Sequence, residues 1–102
     1  MDRDLCVLAV PDCPHLPLLL ERLARVLPDG GVRDVSVRTV TSDAEAARYG
    51  MHGSPTLLVD GRDPFTPEGE ASFGLSCRVF RRPDGRLEGA PGVDRLRAAL
   101  GC

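Results

Sequence analysis

The chain contains no lysine, isoleucine, asparagine or glutamine. All 13 of its basic residues are therefore arginine, the bias of a GC-rich genome. Arginine clusters accordingly carry less functional weight than usual, and those at 78, 81 and 82 read as a solvated strand face. A basic excess is missing too. The formal charge is -2 and the sequence pI about 5.6, which gives no electrostatic case for nucleic acid or an anionic membrane, and neither is expected as a partner. The apolar run behind the charged start Met1-Asp2-Arg3-Asp4 extends only from Leu5 to Val10, too short for a signal-peptide core or a membrane span. The expected compartment is the cytoplasm. Thiols stay reduced there, so Cys6, Cys13, Cys77 and Cys102 point to chemistry or simple burial before they point to a disulfide framework. Repeats and low-complexity tracts are absent as well.

What is present suffices for one domain over residues 1–102. A chain of this length can bury about two thirds of its unfolded surface, enough for one two-layer core but not for two. Leu5 to Val10 reads as a buried strand that breaks at Pro11-Asp12-Cys13-Pro14-His15. Leu16, Leu19, Leu20, Leu23, Val26 and Leu27 then recur at helical spacing, and Pro28-Asp29-Gly30-Gly31 ends that helix. Residues 32–40 alternate apolar and polar as a second strand, Val35, Val37 and Thr39 against Ser36 and Arg38. A short helix follows, opened by a Ser42/Glu45 capping box and closed by a left-handed Gly50. Residues 56–59 form a third strand and 75–80 a fourth, before a turn at Pro83-Asp84-Gly85 and a short return at Leu87. Val93, Leu96, Ala99 and Leu100 line a last helix that Gly101 stops. The order β-α-β-α-β-β-α predicts an α/β fold: a four-stranded mixed sheet with helices on both faces. Residues 60–74 are the one long loop, of the length that binding segments and lids use.

Two places carry chemistry. Cys13 sits where the first strand hands over to a helix, and Gly53-Ser54-Pro55-Thr56 puts a proline immediately before an apolar strand. Together with Asp12-Cys13-Pro14, with the Val-Asp-Gly-Arg-Asp-Pro-Phe run over 59–65, and with Gly74-Leu75-Ser76-Cys77-Arg78, this pattern resembles the thioredoxin superfamily over nearly the whole chain. More narrowly, it is similar to short bacterial thioredoxin-like proteins with cysteine or selenocysteine before proline after the first strand, some of which are named alkylmercury lyases. The resemblance implies that Pro55 is a cis-proline facing the active cysteine. It also implies that the backbone of Ser54 is free to pair with a bound peptide or thiol, making Pro14, Ser54, Pro55 and Thr56 the substrate-binding segment.

Cys13 is then the nucleophile, because the thiolate is the reactive form and a helix N-terminus or an imidazolium favours it. His15 is the nearby activator. Against that role, Pro17 suits a first helical turn, which would start the helix at about residue 17, leave Cys13 short of the dipole and use His15 as a cap. Three residues after Cys13 stands Leu16, so no Cys-x-x-Cys pair exists and a monothiol mechanism is expected, with a second thiol resolving the product. Cys77 is the internal candidate. If the fourth strand runs antiparallel to the third, however, Cys77 lies roughly 10 Å from the Pro55 end, beyond the 7 Å or so that a disulfide allows between α-carbons.

Cys6 reads as an apolar filler and Cys102 as a mobile terminus. His52 either touches the site or is a loop residue with a solvated ring. Asp63-Pro64-Phe65 starts a turn. Three functions fit: a thiol-dependent oxidoreductase acting on a small or protein thiol or disulfide without cofactor; a thioredoxin-like module that binds a peptide without catalysis; and capture or cleavage of mercury compounds by Cys13 and Cys77 with Asp12 as proton donor.

Overall fold

The computed structural model describes residues 4–27, 31–65, 73–82 and 84–100, with 32, 33, 77 and 81 described by backbone only. The expected helix stop at 28–30, Pro83, Gly101, Cys102 and residues 66–72 of the long loop lie outside the described residues. Strand β1 (Leu5–Ala9) is the centre of a three-stranded mixed sheet. On one side it pairs in parallel with β2 (Ser36–Thr39), Val7 opposite Val37. On the other it pairs antiparallel with β4 (Thr56–Val59), Val7 opposite Leu57. Because side chains alternate along a strand, a central strand that is apolar throughout needs cover on both faces. It has it. Leu5 and Val7 join Leu57 and Val59 in one buried cluster with Leu19 and Leu23 of helix α1 (Leu16–Val26) and Leu96 and Leu100 of helix α3 (Val93–Leu100). Leu8 belongs to the opposite cluster with Val40, Met51 and Ala46 of helix α2 (Asp43–Tyr49), and Cys6 packs against that group. Each fully buried leucine contributes about 2 kcal/mol relative to exposure.

Helix α2 forms as its sequence dictates. Ser42 Oγ accepts from Glu45 N at 3.1 Å, and Gly50 closes the helix at φ 84°. The reciprocal arm differs by one residue, since Glu45 Oε1 accepts from Thr41 N at 3.1 Å and from the Thr41 hydroxyl at 2.6 Å. These hydrogen bonds hold the Glu45 carboxyl below its ordinary range. Among the described residues, no helix is long and apolar enough to cross a membrane.

Two expectations are corrected. The second strand is only four residues long, all of them exposed, with Val37 47% accessible. Residues 31–34 coil into a 3-10 turn, and Val40, just past the strand, takes the buried position instead. The second correction bears on the site. Residues 74–77 do form a strand, β5 (Gly74–Cys77), but it is not the antiparallel fourth member of the main sheet. It pairs in parallel with a three-residue strand, β3 (His52–Ser54), that immediately precedes Pro55. A separate ribbon of β6 (Phe80–Arg81) and β7 (Leu87–Glu88) completes the order, turned by Gly85 at φ 90°. The described strands therefore divide three, two and two.

Candidate active site

The Ser54–Pro55 peptide bond is cis, as the motif led one to expect. Ser54, Pro55 and Thr56 are all buried. Ser54 Oγ accepts a hydrogen bond from Val10 N at 3.0 Å, while Val10 O accepts from Cys13 N at 3.3 Å. One residue at the end of β1 thus ties the proline segment and the cysteine turn to each other. The turn itself is tight. Asp12 is exposed and left-handed at φ 57°, and Cys13 O accepts from Leu16 N at 3.3 Å, leading the chain into α1. Cys13 carries a free thiol and is 6% exposed.

Helix α1 begins at Leu16, with His15 at its N-cap and Pro17 in its first turn. Cys13 stands two residues outside that cap, beyond the first turn over which the helix dipole acts strongly. His15 makes no side-chain capping bond. Its ring instead fills the space beside Gly89 where a side chain would project, so its neighbour is the segment leading to α3. Arg22, nearly two turns into α1, grips the same segment through Ala90 O at 3.0 Å, Pro91 O at 3.2 Å and Glu88 Oε1 at 2.9 Å.

The placement of Cys77 overturns the distance argument made from the sequence. In the parallel register Cys77 is the partner of Ser54, not a residue at the remote end of an antiparallel strand. Neighbouring strands lie about 4.8 Å apart, so the Cys77 backbone is beside the cis-proline segment. The same register removes another expectation. Ser54 O accepts from Arg78 N at 3.0 Å, so this carbonyl is not free for a bound peptide.

Arg78 is not part of a solvated face. It donates to both carboxylate oxygens of Asp63, the two side chains being 9% and 3% exposed, and its guanidinium lies 4.7 Å over the Phe80 ring. Asp63 also accepts from Phe65 N at 2.9 Å, the turn expected of Asp63-Pro64-Phe65. Thr56 Oγ1 donates to Gly53 O at 2.6 Å and accepts from His52 N at 3.2 Å and from Arg78 at 3.4 Å, so it clasps the segment internally. His52 is half-buried: its ring stacks on Phe73 at 4.8 Å, and its Nδ1 is buried without a partner. Cys6 is half-buried, and burial pushes its thiol up, with Arg38 opposing and Asp4 adding to the shift.

Val10 is a contributor that the sequence did not single out, and the sequence read Asp63 only as a turn residue and Arg78 only as part of a solvated face. A charged residue between Cys77 and the apolar pair Val79-Phe80 was the available signal for Arg78. No group of three or more His, Cys, Asp or Glu side chains that could hold a metal occurs among the described residues. Comparison with protein-family models, with curated proteins and with solved structures finds no match to this chain.

Proposed function

We propose that this chain is a thioredoxin-like thiol oxidoreductase in which Cys13 is the nucleophile, the cis-proline segment at 54–55 braces the Cys13 turn, and Cys77 is the resolving thiol. The observation that carries the reading is the double use of Val10, whose N–H holds Ser54 Oγ and whose carbonyl holds the Cys13 turn. The order of strands and helices through β4, with helices on both faces of β1, supports the same reading. In the reaction, the Cys13 thiolate attacks one sulfur of a disulfide, the S–S bond breaks, one thiolate leaves and a mixed disulfide remains. Cys77, as thiolate, then attacks Cys13 Sγ, releasing the second thiolate and leaving a Cys13–Cys77 disulfide that an external thiol reduces. The substrate gains two electrons and the protein loses two.

The register of Cys77 against Ser54 also favours a second reading, a soft metal held by two thiolates. A purely peptide-binding module loses support, because the Ser54 carbonyl already has an internal partner.

Alkylation rates separate these. Iodoacetamide at about pH 6.5 is expected to label Cys13 faster than Cys6, whose thiol is held protonated by burial. Peptide mapping after mild oxidation is expected to show a Cys13–Cys77 link. Labelling of Cys13 no faster than Cys6, with no link formed, would end the redox reading. Mercury binding whose stoichiometry is unchanged in Cys13→Ser would end the metal one.

A further inference from the structure

We infer that Cys13 acts on low-molecular-weight disulfides and discriminates against disulfides carried by extended polypeptide, because this chain's own strand β5 occupies the backbone edge beside the cis-proline. The inference rests on the proposed thiol chemistry and adds the substrate class. An extended peptide binds beside such a segment by adding a strand, and strand addition requires unpaired backbone groups. At Ser54 they are taken: its carbonyl accepts from Arg78 N at 3.0 Å, and Ser54 is a ladder partner of Cys77. Its side chain is taken as well, by Val10 N.

The fit of β5 against β3 is close. A Cβ placed on Gly53 would stand 3.1 Å from both Arg78 Cβ and Ser76 O, and Gly53 adopts φ 118°, a conformation that glycine alone takes readily. The buried Arg78–Asp63 pair and the bond from Arg78 to Thr56 Oγ1 fix the end of β5 to the segment it covers. Cys13 is itself 6% exposed, which suits a disulfide presented on a small molecule better than one flanked by folded chain. For a small disulfide the exchange needs only in-line approach of one sulfur to Cys13 Sγ; the leaving thiolate departs to solvent and no backbone partner is required. A polypeptide substrate, by contrast, has to break the Ser54–Arg78 bond before it can pair.

The test measures second-order rate constants for oxidation of the reduced full chain by 2-hydroxyethyl disulfide and by the disulfides of insulin, with Cys13 followed by mass spectrometry. The small disulfide is expected to react at least about tenfold faster than insulin per disulfide, the scale of one displaced strand hydrogen bond. Equal or faster reaction with insulin would overturn the inference while leaving the thiol chemistry intact. Reaction of Cys13 with neither removes the proposed function and the inference together. In Gly53→Ala the added methyl group meets Arg78 Cβ and Ser76 O at 3.1 Å on a left-handed backbone, which strains the β3–β5 pairing, and the ratio is expected to fall. A folded Gly53→Ala protein that keeps the wild-type ratio also counts against β5 as the barrier; should that variant not fold, the wild-type ratio decides.

Discussion

Arg78 and Asp63 form an ion pair almost withdrawn from water, joined at both carboxylate oxygens. Burying two charges is costly and their attraction offsets the cost only while both are present, so removing one partner is far worse than removing both. Asp63→Ala is therefore expected to lower unfolding stability by about 3 kcal/mol or more, since it removes one member of this buried pair. Replacing both with apolar residues of similar volume, Asp63→Leu with Arg78→Met, is expected to cost clearly less, and urea unfolding of Asp63→Leu, Arg78→Met and the double closes the cycle. Additive losses would mean that the pair does not act as a unit. At this scale the sequence showed part of the picture. The turn at Asp63 was legible because an Asp side chain bonds a backbone two residues on, and this rule is local. The partner of Arg78 was not legible, because it lies 15 residues upstream across a loop, where strand alternation says nothing.

Helices α1 and α3 are joined by more than their leucines. The His15 ring lies against Gly89 and Arg22 holds Ala90, Pro91 and Glu88, so the first two turns of α1 are fastened to the segment that leads into α3. A methyl group at Gly89 would occupy the place of the imidazole. Gly89→Ala is accordingly expected to destabilise by about 1 to 3 kcal/mol through overpacking. The same substitution made in His15→Ala should be nearly free of that penalty, because the ring it displaces is gone. Thermal unfolding of the three variants measures this, and a penalty that persists without the ring would assign Gly89 a backbone role in place of a packing one. The helices were legible from their leucine spacing and their caps, whereas β3 was not. Three residues containing a glycine, next to a proline, present no alternation, and without β3 the sequence offered β5 only the main sheet as a partner. The parallel pairing of β3 and β5, and with it the closeness of Cys77 to Ser54, could emerge only from the folded chain.

The whole molecule has a radius of gyration of 12.7 Å, and its described residues bury two apolar clusters separated by β1. That division was legible in outline, since a central strand without polar positions implies cover on two sides. Which face each residue takes is fixed by the pleat: Val7 turns to α1 and α3, Leu8 to α2. The two clusters share no residue, yet β1 and β4 each send side chains to both, so damage to one reaches the other through the backbone of these two strands. Leu23→Ala and Leu8→Ala are each expected to cost about 2 to 5 kcal/mol by leaving a cavity. If the sheet is a rigid divider, the double variant loses the sum of the two within about 0.5 kcal/mol. Unfolding should nevertheless remain a single transition, because neither cluster has a complete sheet of its own to fold upon. Circular dichroism gives the midpoint of backbone melting, and alkylation of Cys6, which packs against the α2 cluster, gives the opening of that face. Coincident midpoints are expected for wild type and for Leu23→Ala. Early exposure of Cys6 in Leu8→Ala alone would instead make the α2 face a separately opening unit, with β1, β4, α1 and α3 as the cooperative core.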